Sequence, residues 1–229
     1  MLAFILASLG LAALLFMHEP ELPNVVAKTK AGIEWARIPV LMREDKAFRR
    51  FVTARSLTTA GRLAMPFYIL YAAQHTTLTG SNLGLLTIAF TLAGNVSNLL
   101  WGEIADRSGY RRVMLISLVI WVVSTLALFV TEGIVLTSLI FVGIGAAAQG
   151  FQNAAANIVL EFGSREDVPM RLAISNSASD AVGAIATLCA GLLASGFGYE
   201  AVFIASICFL SIGGFFIRRH VPDPRHRTS

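Results

Sequence analysis

Long uninterrupted apolar runs constrain this chain more than any other feature. They fall at roughly 1–17, 55–74, 83–103, 113–131, 134–160, 172–196 and 199–217. Most approach the ~20 residues that a helix rising ~1.5 Å per residue needs to cross ~30 Å of hydrocarbon. They are continuous and show no period-two alternation over ten-residue blocks, so they read as helices rather than as strands of a membrane barrel. Only 14% of the residues are charged and mean hydropathy is +0.69, whereas a soluble domain carries about a quarter charged. The fold class is an all-α membrane protein.

A net charge of +4 raises the question of nucleic acid as a partner, and the placement of the charges argues against it. Seventeen of the eighteen Lys and Arg lie in or beside 18–55, 104–112, 161–171 and 218–229. The connections near 75–82, 131–133 and 197–198 have none. This alternation is the positive-inside bias. It puts the basic segments and the C-terminus in the cytoplasm, with the lipid bilayer as the first partner and the plasma (inner) membrane as the expected location.

The runs divide the chain into a partial transmembrane helix (1–17), a cytoplasmic linker (18–54), a six-helix bundle (55–217) and a cytoplasmic tail (218–229). Residues 1–17 lack the basic start and small-residue cleavage site of a signal peptide, so they read as a short span. The linker carries Pro20, Pro23, Pro39 and seven basic residues. Gly196-Phe197-Gly198 reads as a tight extracytoplasmic turn between the last two spans. Cys189 and Cys208 fall inside spans and read as small packing residues, and no Cys/His spacing suggests a metal.

Helices facing lipid should be apolar all round, while helices lining water carry a polar stripe. In the second of the six spans Thr87, Thr91, Asn95, Asn98 and Gly102 share one face. In the fourth, Gln149, Gln152, Asn153 and Asn157 do, and in the fifth Asn176, Asp180, Thr187 and Gly191. The third and sixth offer only small polar groups among bulky apolar ones. Interhelical hydrogen bonding would explain any single stripe; the pattern over several helices favours a substrate pathway.

Arg62 is the one basic side chain outside the cytoplasmic clusters. A guanidinium at this depth costs about 2.5 kcal/mol or more, so it should find a partner, line water or snorkel back to the interface. Asp180 is the expected partner, and as the one carboxylate well within a span it is the candidate carrier of a coupling proton. Pro66 should leave the carbonyl of Arg62 unpaired and kink the helix. Gly84, Gly94, Gly143, Gly145, Gly150, Gly183 and Gly191 would let helices approach closely.

Between the second and third spans lies Trp101-Gly102-Glu103-Ile104-Ala105-Asp106-Arg107-Ser108-Gly109-Tyr110-Arg111-Arg112, read as a hinge loop of about ten residues. Asp106 follows a helix end, poorly placed for its own helix dipole but well placed to meet the positive N-terminus of the helix starting near Arg171. Arg107, Arg111 and Arg112 are free to pair with Glu103, Glu161 or lipid. Through Gly102, Asp106, Arg107, Gly109, Arg111 and Arg112 this stretch resembles the loop signature of the major facilitator superfamily, G-x-x-x-D-R-x-G-[RY]-[RK]-x.

The resemblance implies two inverted three-helix repeats in the six-helix bundle. Residues 1–17 would be the end of helix 6 and 55–217 helices 7 to 12, with a missing N-terminal six-helix half as partner. It also implies that the signature loop, with Glu161 and Arg171 flanking the corresponding loop, forms a cytoplasmic gate. The substrate pathway would run past Arg62, Asn95, Asn98, Gln149, Gln152, Asn153 and Asp180. The function implied is secondary active transport of a small solute by alternating access, without a cofactor. The alternative is a truncated, non-transporting subunit or scaffold that pairs with another half. A membrane-embedded enzyme is disfavoured, because His18, His75, His220 and His226 lie outside the spans.

Overall fold

A computed structural model describes residues 37–77, 79–162 and 167–221. The expected partial span (1–17), the first part of the linker (18–36) and the tail beyond 221 lie outside the described residues.

All regular structure among them is helical. A short helix, α1 (Arg37–Glu44), precedes α2 (Lys46–Gly61), a single 3-10 turn (Arg62–Ala64) and α3 (Met65–His75). Then follow α4 (Gly80–Ser108), α5 (Tyr110–Leu128), α6 (Ile134–Leu160) and α7 (Val168–His220). Helices α4 to α7 are each long and apolar enough to cross a membrane.

The helix holding Arg55 starts at Lys46, inside the stretch read as linker. The Asp45 carboxylate accepts from the N–H groups of Ala47 and Phe48 at 3.1 and 3.0 Å, satisfying donors that a helix start leaves orphaned. Arg49 and Arg50 in the first turns made this helical segment look like an irregular linker to a hydropathy reading.

Pro66 breaks the α2–α3 segment as expected, but the carbonyl of Arg62 is not orphaned. The chain tightens into the 3-10 turn, and Met65 N–H donates to Arg62 O. A 3-10 bond satisfies the group that the proline cannot serve.

At 53 residues α7 is far longer than one crossing. Gly198 interrupts it at φ 81°, ψ 174°, a conformation that costs a side-chain-bearing residue a few kcal/mol at most sites. Its first arm runs parallel to α2: Ser175 meets Arg55, and Gly183 faces Thr59. The second arm runs back. Phe203 stacks on Tyr68, Ser206 donates to Gly61 O, and Gly213 faces Thr58. Tyr68 and Tyr71 likewise meet Thr125 and Phe129 of α5 in parallel sense, and Asn98 of α4 meets Asn153 of α6. Helices α5 and α6 oppose each other, with Ser117 beside Gly150 and Ser124 beside Gly143.

Two packing centres hold the helices. Near the basic end, the Phe48 and Phe51 rings lie 6.0 and 5.5 Å from Phe162. At the other end Tyr68, Tyr71, Phe129 and Phe203 interlock, and Trp121 donates to the Tyr68 hydroxyl at 3.2 Å. The outward faces of α5 and the second arm of α7 expose Val119, Val123, Leu126, Ile204, Ile212 and Phe215. Such faces suit lipid tails, and α4 exposes Ile88, Leu92, Val96, Leu99 and Leu100 in the same way.

Candidate functional site

The polar residues predicted on separate spans meet in a belt across the bundle. On α6, Gln149 donates to the side-chain oxygen of Asn153 at 3.3 Å, and Asn153 donates to that of Asn98 on α4 at 2.7 Å. One turn along the same helix, Gln152 accepts from the Arg62 guanidinium at 3.2 Å. Arg62 in turn lines a pocket of about 280 Å³ with Thr59, Met65, Pro66, Asp180, Gly183 and Thr187. The belt therefore passes from α4 through α6 and the 3-10 turn to the first arm of α7. Asn95 is exposed on α4, one turn before Asn98.

The expected Arg62–Asp180 ion pair is corrected by this geometry. Both side chains line the same pocket, but the guanidinium bonds the neutral Gln152 amide and no ion pair joins it to Asp180. The 3-10 turn starts at Arg62 and winds at three residues per turn instead of 3.6, which redirects the side chain from the face a regular helix would give it. Asp180 is exposed, as are Thr91, Asn95, Gln152 and Asn176. Polar groups at membrane depth are costly against lipid, and so favour water or a protein partner.

The signature stretch is not a ten-residue loop. Helix α4 continues to Ser108 and α5 starts at Tyr110, so Gly109 alone reverses the chain, at φ 85° and ψ 154°. Only glycine adopts that backbone without strain. Asp106 and Arg107 thus lie in the last turn of α4. Arg107 pairs with Glu103 at 2.5 Å, both exposed. Arg111 donates to the carbonyl of Arg218 at 2.6 Å, tying the start of α5 to the end of α7, and Arg112 is exposed. A β-carbon at Gly102 would meet nothing within 4 Å, so packing within the described residues does not require this glycine. The same holds for Gly84 and Gly191, whereas Gly145 lies against the backbone of Phe90 and Gly150 against Trp101.

Arg171 lies in the first turn of α7. Its guanidinium pairs with Asp45 at 2.7 Å, the two side chains 6% and 18% exposed, and sits 4.9 Å from the centre of the Phe48 ring. This clasp joins the first turns of α2 and α7. Glu161 caps the end of α6. The sequence reading missed Asp45; a cap signal, Asp followed by an apolar turn, was there to find it. It also passed over Arg55, buried and donating to Ser175 at 2.8 Å.

The family model of the Major Facilitator Superfamily matches residues 50–229. The chain belongs to that superfamily. The match covers the belt, the Gly109 reversal and the Arg171 end of the clasp, and it makes the chain an integral membrane protein of a transporter family. A comparison with the curated proteins finds no match. The Gly102–Arg112 stretch, which resembles the superfamily's loop signature, is here a helix end, one glycine and a helix start.

Proposed function

We propose that this chain serves secondary active transport of a small solute by alternating access. In this reading the segment from Lys46 to His220 crosses the membrane six times as two inverted three-helix repeats, with its basic ends and C-terminus at the cytoplasmic face of the plasma membrane. It acts as the C-terminal half, paired with a second six-helix bundle. The observation that carries the reading is the exposed polar row of Thr91, Asn95, Gln152, Asn176 and Asp180. Facing lipid, these groups would each forgo hydrogen bonds at a cost of about 1 kcal/mol or more. Facing a water-filled path between two bundles, they keep them.

Arg62 then supplies a positive charge to the path, and Asp180, an acid lining the same pocket, is the candidate carrier of a coupling proton. An ion gradient as the driving force and a gating role for Asp106 with Arg107, Arg111, Arg112, Glu161 and Arg171 are part of the same proposal, as the superfamily resemblance implies.

Single cysteines test the path. With Cys189 and Cys208 replaced by Ala, cysteines at Asn95, Gln152, Asn176 and Thr187 should react with a membrane-impermeant maleimide. Cysteines at Val119, Val123 and Phe215 should not. Equal labelling of the two sets would end the reading.

A further inference from the structure

A larger cavity lies away from the polar belt, where α3 ends and the two arms of α7 meet. It is an open pocket of about 770 Å³, and its walls include Phe67, Tyr71 and His75 of α3 and Tyr199 and Glu200 just past Gly198. The rings are grouped: Phe67 and Tyr199 lie 5.8 Å apart between centroids, and Tyr71 and His75 4.4 Å apart. Gln74 and Ser195 supply neutral polar rim groups.

Charge gives this aromatic chamber a sign. Glu200 is its one carboxylate, exposed and without a hydrogen bond or ion pair among the described residues. No lysine or arginine lines the cavity. The neighbouring connections at this end of the bundle likewise carry no lysine or arginine, His75 being the basic side chain there, while Glu132 adds a second negative charge. An anion would be repelled here, and a neutral solute would leave the carboxylate without a counter-charge. A cation bearing alkyl or aryl groups satisfies both features, because ring faces attract positive charge electrostatically and the walls cover apolar substituents.

We propose that this cavity binds an organic cation, a substituted ammonium group, with Glu200 as its counter-charge and Phe67, Tyr71 and Tyr199 as its walls. The site stands apart from the Arg62–Asp180 pocket and does not depend on the transport reading. Only its assignment to the extracytoplasmic side does.

The test is calorimetric titration of the full chain in lipid nanodiscs with benzyltrimethylammonium, against phenylmethanesulfonate as the anionic control. The cation should bind and the anion should not. Glu200→Gln should weaken cation binding ~3-fold or more, the loss of an exposed Coulombic contact, since a quaternary ammonium has no N–H to donate. Tyr199→Leu should weaken it ~3-fold or more while Tyr199→Phe, which keeps the ring, should match the native chain. Gln74→Lys, which adds a positive charge at the rim, reads the same prediction should Glu200→Gln fail to give folded protein. Cation binding that survives Glu200→Gln or Gln74→Lys unchanged would overturn the proposal, as would equal binding of the sulfonate or no binding by the native chain. Arg62→Ala should bind the cation like the native chain, so loss of transport and loss of this site are separable.

Discussion

The Asp45–Arg171 clasp is the residue-level contact with the most at stake. Both charges are largely withdrawn from water, and substituting either one breaks the pair. Breaking one side of such a pair costs about 3 kcal/mol or more. Arg171→Ala should therefore lower the melting temperature of the purified protein by several degrees. Arg107→Ala, which removes an exposed i,i+4 pair, should change stability by less than ~0.5 kcal/mol. Equal effects in a thermal-shift assay would refute the distinction. This contrast was not legible in the sequence, where both arginines belonged to basic segments flanking spans. Which acid an arginine meets across more than a hundred residues is a tertiary outcome. The belt residues were legible because a polar amide at membrane depth needs a partner wherever the chain folds. Their individual pairings, Arg62 with Gln152 above all, were not.

At the scale of elements, the apolar runs located the helices well and their ends poorly. Hydropathy falls where arginines appear, yet α2 starts at Lys46 and α4 reaches Ser108, because charged residues continue a helix once it has left the hydrocarbon. The glycines show the same limit. Composition suggested seven close approaches; the structure keeps Gly94, Gly143, Gly145, Gly150 and Gly183, leaves Gly84 and Gly191 in open space, and adds Gly61 and Gly213. Gly145→Ala should accordingly push α4 from α6 and destabilise by about 1–3 kcal/mol, the usual penalty of overpacking. Gly84→Ala should be neutral or stabilising by up to ~1 kcal/mol, since alanine favours helix and meets no neighbour. Thermal melts of the two variants side by side check the pair of outcomes, and similar melting temperatures would contradict it.

For the whole molecule, transport by rocking needs a cytoplasmic contact that can be made and broken. If the end of α4 provides it, Asp106→Asn should raise maleimide labelling of a cysteine at Asn157, on the cytoplasmic side of the belt, by ~2-fold or more. Unchanged labelling would remove Asp106 from the gate. Arg62→Ala and Asp180→Asn should each abolish uptake while leaving the protein folded, since neither side chain is buried. The single-residue turns at Gly109 and Gly198 also bear on how the chain reaches its membrane. Two apolar helices joined by one residue cannot be threaded as separate segments with a slack loop between them. At Gly198 almost nothing hydrophilic has to be carried to the far side, so in the six-span reading the two arms of α7 can enter the bilayer as one hairpin, whereas the charged residues around Gly109 stay with their turn at the cytoplasmic face. A folding error in one arm of such a hairpin should trap the other.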